Sequence, residues 1–158
     1  MEQHPNIHQT VGVLIDGNNI GMGINSAFGE KNLLNYLTFI DKILRSRKLS
    51  SLTYFREGRT ISPAFRELLR VNFFGSVKPC GKSADIALAI EAVLLAHKVN
   101  TIIIFSGDVD FCPLVDYLKS VGVRVEVVYV SGSESKELLQ KADDSYAISK
   151  DDLRTNSK

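Results

Sequence analysis

Thr101-Ile102-Ile103-Ile104-Phe105 runs directly into Ser106-Gly107-Asp108-Val109-Asp110-Phe111. A β-branched and aromatic run that stops abruptly at Gly and two aspartates reads as a buried strand delivering charge at its carboxyl end. A second segment has the same grammar, because Val11-Gly12-Val13-Leu14-Ile15 is followed at once by Asp16-Gly17-Asn18-Asn19. In open parallel sheets the functional crevice lies outside the carboxyl ends of the strands, so three carboxylates from two strand ends are expected to converge there. That arrangement suggests a divalent cation. The plain alternative is that each Asp or Asn caps a helix or makes a turn. Asp108 and Asp110, however, are too close in sequence to cap the same helix, and without a cation their charges repel.

At 158 residues, with 44% hydrophobic and 23% charged residues, the chain has the size and composition of one globular domain. No apolar run approaches the roughly 18 residues that span a membrane. The opening Met1-Glu2-Gln3-His4-Pro5 lacks the basic, then apolar, pattern of a signal peptide, so a cytoplasmic location and no membrane partner are expected. Cys80 and Cys112 form no CxxC or Cys/His pattern; reduced thiols are expected, and zinc is not.

Strands alternate with helices along the chain. Leu33, Leu34, Leu37, Ile40, Ile43 and Leu44 recur at helical spacing and predict a helix from about 31 to 47. Leu52-Thr53-Tyr54-Phe55 predicts a short strand ended by Arg56-Glu57-Gly58, and Ser62-Pro63 opens a helix with Ser as cap and Pro in the first turn. Ser76-Val77-Lys78 predicts a short strand, Ser83 caps a helix reaching about His97, and residues 111–120 form another that Gly122 ends. A strand over 123–130 and a helix over 134–141 complete the order. Such alternation implies an α/β fold with a doubly wound parallel sheet and right-handed crossovers. Residues 1–9 and 151–158 are expected to be flexible tails around one domain at 10–150.

A fourth acid, Asp85, opens the helix that precedes the Ile-rich strand. An acid in a first helical turn is favoured by the helix dipole whatever the function. Its context adds weight: Ile15-Asp16-Gly17-Asn18-Asn19, Lys82-Ser83-Ala84-Asp85-Ile86-Ala87-Leu88 and Ser106-Gly107-Asp108-Val109-Asp110-Phe111 resemble the three signature blocks of the NYN domain. The likeness is nearest to the LabA-like branch of that family, within the PIN-like nuclease superfamily, and spans about residues 10–148. The resemblance implies a PIN-like three-layer α/β/α sandwich with a central, mainly parallel sheet, and a nuclease that uses Mg2+ or Mn2+ to cleave RNA. It implies metal ligation by Asp16, Asp85, Asp108 and Asp110, with Asn18 and Ser106 completing the catalytic set. Glu91 falls where some relatives carry another acid, but six residues after Asp85 it need not share a helix face, and it is left outside the core site. Asp116 is read as a surface acid.

The chemistry fits on its own terms. Carboxylates suit hard cations, and magnesium takes a few of them while keeping several waters. A metal so held activates water and stabilises charge on a phosphodiester under in-line attack. No histidine competes as a base: His4 and His8 lie in the expected tail, and His97 near a helix end reads as structural or solvated. No Ser or Cys triad has a supporting constellation.

Net charge is only +1, yet from Lys42 to Lys82 ten basic residues face two acids, a local excess of +8. So one-sided a segment suggests a phosphate-backbone surface, with Arg56, Arg59, Arg66, Arg70 and Lys82 as RNA-binding residues. Tyr54, Phe55, Phe65, Phe73 and Phe74 lie among them and read mostly as core.

Two decoys are set aside. Gly75 to Ser83 resembles a P-loop, but five residues rather than four separate the glycines, and Pro79 lacks a backbone donor. Gly17, Gly21 and Gly23 do not have dinucleotide-site spacing. The leading expectation is a metal-dependent ribonuclease, compatible with a homo-oligomer. Its rivals are a non-catalytic RNA-binding or regulatory module and a small-substrate phosphatase or nucleotide hydrolase.

Overall fold

In the computed structural model of the chain, residues 9–58 and 61–155 are described. Six parallel strands form the central sheet: β1 (Thr10–Asp16), β3 (Lys48–Glu57), β4 (Ser76–Cys80), β5 (Thr101–Phe105), β6 (Arg124–Val130) and β7 (Asp144–Ile148). Their order is β4-β3-β1-β5-β6-β7. From β1 the chain winds outward to β3 and β4, then crosses back to β5 and winds the other way through β6 and β7. The direction therefore reverses between neighbours β1 and β5, and a crevice opens at the carboxyl ends of these two strands.

Helices cover both faces. On one side lie α1 (Gly17–Phe28), α2 (Tyr36–Leu44) and α3 (Pro63–Phe73), burying Ile20, Ile24, Phe39, Ile40, Ile43 and Leu69 against Val13 and Ile15. On the other lie α4 (Ala84–Leu95), α5 (Cys112–Ser120) and α6 (Lys136–Lys141), which bury Leu88, Ala92, Val115, Leu118 and Leu138 against Leu14, Ile104 and Val127. The period of two along each strand sends successive side chains to opposite layers, and each fully buried Leu, Ile or Phe contributes about 1.5–3 kcal/mol. The three-layer sandwich expected from the sequence is observed.

Several expectations are corrected. The helix expected over 31–47 is shorter: Asn32–Leu34 forms strand β2, and the helix itself starts only after the Asn35 cap. Helix α1 was not anticipated, because three glycines weaken its helical signal. Tertiary packing overrides that propensity, since a Cβ on Gly23 would lie 3.0 Å from Val130 Cβ. The final tail also differs, because Lys150–Asp152 forms a 3-10 turn and Leu153–Thr155 forms β8, antiparallel to β2. Asp152 anchors this ribbon through a 2.6 Å ion pair with Lys42. Residues 1–8 and 156–158 lie outside the described residues.

At the amino-terminal edge of the sheet, Glu126 is completely buried. Arg47 grips both its oxygens at 2.8 Å, Arg124 donates at 2.9 Å and the Tyr146 hydroxyl at 3.0 Å. Burial alone would raise the Glu126 pKa, but the bonds from Arg47 and Arg124 hold it below the usual carboxylate range.

Candidate metal centre

Asp16, the last residue of β1, is buried and caps α1. Its Oδ1 accepts the Asn19 N–H at 3.2 Å, and its Oδ2 accepts the Ser106 hydroxyl at 3.4 Å. Ser106, fully buried just beyond β5, accepts the Asp108 N–H through its Oγ at 3.2 Å. The hydroxyl thus ties the acid of one strand end to the backbone of the next. Asp108 caps the 3-10 turn Val109–Phe111, and its Oδ1 accepts the Asp110 N–H at 2.9 Å. The turn explains how two acids so close in sequence reach one point. Asp85 arrives from the other side, in the first turn of α4 behind its Ser83 cap.

Asp85, Asp108 and Asp110 each offer a carboxylate oxygen, and these oxygens lie within 4.8 Å of one another. Asp16 stands outside this close triad, joined to it through Ser106 and through charge. Burial, then the charges of Asp85 and Asp108, push its pKa up to about 6, against the lowering effect of the Asn19 and Ser106 bonds. Burial, then Asp108, Asp110 and Glu57, raise that of Asp85. Among the described residues no Lys or Arg forms an ion pair with any of these acids. Oxygen donors packed this closely with no protein cation fit a hard divalent ion.

The structure adds the contacts of Glu57, of the two asparagines after Asp16, of which Asn18 is the one the sequence points to, and of Gly17. Glu57, at the end of β3, accepts the Ala84 N–H at 3.3 Å through Oε2, and so helps hold the helix start that carries Asp85. Its signal was the same strand-end position already noticed in β1 and β5. The paired asparagines after Asp16 are struts: Asn18 Oδ1 accepts the Glu57 N–H at 2.8 Å, and Asn19 Oδ1 accepts the Gly107 N–H at 3.0 Å. One residue reaches left to β3 and the next reaches right beyond β5. Gly17 is demanded by crowding, because a Cβ there would lie 2.4 Å from the Tyr54 ring and 2.8 Å from the Phe55 carbonyl oxygen.

Half of the ten basic residues of the segment are paired with acids. Lys42, Arg45, Arg47, Arg70 and Lys78 are engaged by Asp152, Glu126 with Asp144, Glu126, Glu67 and Glu91 respectively. Arg56 is half-buried, with a 3.4 Å bond to the Tyr54 hydroxyl, and Arg66 and Lys82 are exposed; these three make no ion pair among the described residues. Arg66 sits in the first turns of α3, near the carboxyl edge of the sheet. Arg70 lies a turn farther from that edge, held at 2.6 and 2.9 Å by Glu67. Arg59 lies outside the described residues. Tyr54 and Phe55 are core, Phe65 and Phe73 are half-buried, and Phe74 is 92% exposed at the far end of α3. His97 is exposed, and both cysteines are free thiols. Glu91 pairs with Lys78 and Asp116 with Lys141. The P-loop-like stretch carries edge strand β4, where Pro79 is tolerated. Among the described residues no helix is long and apolar enough to cross a membrane.

The fold is shared with a protein of unknown function, VPA0982 from Vibrio parahaemolyticus RIMD 2210633, whose crystal structure superposes with a TM-score of 0.82 at 23% identity, covering 98% of this chain and 100% of that one. Among curated proteins none matches the chain significantly. The family model of the NYN domain matches residues 10–149. The close approach of Asp85, Asp108 and Asp110 and the match over nearly the whole domain give one conclusion: the chain belongs to the NYN domain family, within the PIN-like nuclease superfamily.

Proposed function

We propose that the protein is a cytoplasmic, LabA-like ribonuclease that hydrolyses RNA phosphodiester bonds with Mg2+ or Mn2+. The observation that carries this reading is the mutual approach of Asp85, Asp108 and Asp110 within 4.8 Å, with Asp16 tied to them through Ser106. Asp85, Asp108 and Asp110 would hold the cation directly, and the buried Asp16 would complete the set. When bound, the ion supplies an activated water and neutralises charge on the phosphodiester. Ser106 orients Asp16 and Asp108 relative to each other, while Asn18 acts on β3 and is a positioning residue. Arg56, Arg66 and Lys82, free of protein carboxylates among the described residues, supply cations for the flanking phosphates. Arg70 is a weaker candidate because Glu67 already holds it, and Arg59 is kept as a candidate from the sequence alone.

The test is cleavage of labelled RNA by the purified chain with Mg2+, Mn2+ or EDTA, beside Asp108→Asn. EDTA and the substitution should each stop cleavage while leaving most binding to the cationic surface. A wild type that binds RNA yet cuts none with Mn2+ over hours would replace the nuclease with the regulatory module.

A further inference from the structure

Helix α4 is apolar on nearly every side, although only one side is covered by the sheet. Ala84, Leu88, Ala92 and Leu95 face the core. On the opposite side Ile86, Ile90, Val93 and Leu94 are 66%, 58%, 38% and 59% exposed. An all-round apolar helix ordinarily has cover on all sides, and an exposed apolar stripe of this size marks an interaction surface. Tyr117 and Val121, on and just after neighbouring α5, are 40% and 41% exposed.

We propose that this face is the interface of a twofold homodimer in which α4 packs antiparallel on α4 of a second copy. Ile86, Ile90 and Leu94 fall on one i±4 row, the ridge used in the commonest class of helix packing, so the stripe is complementary to itself about Ile90. Charge agrees with a self-partner. The two charges of α4 are Asp85, at its start, and Glu91, turned to the flank by a 2.8 Å pair with Lys78. Antiparallel packing puts the two Asp85 clusters at opposite ends of the helix pair and avoids a like-charge meeting. The exposed parts of the four α4 residues amount to roughly 400 Å², the size of the apolar core within a standard interface of about 800 Å² per partner. The dimer is independent of the nuclease reading.

Sedimentation velocity at micromolar and higher concentrations tests it, with circular dichroism to verify folding. The wild type should sediment as a dimer, and Ile90→Glu should weaken association at least about 30-fold, the mark of a hot-spot residue. Because Ile90 lies on the proposed twofold axis, Ile90→Cys treated with diamide should give a disulfide-linked dimer that the wild type, with only Cys80 and Cys112, does not. A monomeric wild type overturns the proposal and leaves the stripe to some other partner. An Ile90→Glu protein that stays dimeric overturns it too, as does an Ile90→Cys protein that does not cross-link.

Discussion

The Ser106 hydroxyl donates to Asp16 Oδ2 at 3.4 Å, joining the ends of two adjacent strands that are ninety residues apart in the chain. The same oxygen accepts the Asp108 N–H at 3.2 Å, so displacement of one acid is felt by the other. The acidic crevice is thus a connected unit built on the rigid sheet.

Burial makes Asp16 sensitive to pH. Its folded pKa of about 6 stands above the ~3.9 of an unfolded Asp, so the folded state keeps the extra proton between these values. Stability of the metal-free protein should be greatest on the acid side of that window and fall as pH rises through it, by about 2–3 kcal/mol from this group. Asp16→Asn keeps an oxygen to cap α1 and should remove most of that slope. Urea denaturation at about pH 5 and about pH 7.5, in EDTA, measures it. Equal slopes for wild type and variant would show that Asp16 is not the group responsible.

Asn19→Ala deletes the strut to Gly107. The loss should be about 1–2 kcal/mol of stability, with metal-dependent turnover falling more than RNA affinity, because the Asp108 turn loses a support rather than a phosphate contact. Steady-state kinetics beside binding in EDTA separates the two. A change confined to RNA affinity would argue for direct contact instead.

Arg66 and Arg70 should behave differently despite their helical spacing. Arg66→Ala should weaken RNA binding at every sequence and reduce the salt slope by about 1, whereas Arg70→Ala should do less because Glu67 already neutralises Arg70. Titrations across a salt series make the comparison. Equal losses would mean that RNA displaces Glu67.

Glu126→Gln should leave Arg47 buried without a charged partner and cost about 3–5 kcal/mol, while the distant acidic crevice keeps its metal affinity. Because the folded Glu126 pKa is lowered, its contribution is present above the unfolded value of ~4.3 and is lost as pH falls through the folded value. Thermal melts with and without Mn2+ should show a lower baseline but an undiminished metal-induced rise. Loss of that rise would couple the two edges of the sheet.

The sequence by itself determined the fold class and the ends of the strands that matter. Period-two apolar runs broken by Asp and Gly carry their meaning locally, and Asp16, Asp85, Asp108 and Asp110 could be placed at strand or helix ends from neighbouring residues alone. What only tertiary structure decided depends on partners distant in the chain. Helix α1 forms against its local propensity because Gly23 lets it approach Val130. β8 exists because β2 offers it an edge. Asp85, Asp108 and Asp110 converge closely while the buried Asp16 stands outside the triad, tied to it by the Ser106 hydroxyl. Of the ten charges of the cationic segment, those of Lys42, Arg45, Arg47 and Lys78 meet acids distant in the chain, pairings that only the folded distances decide.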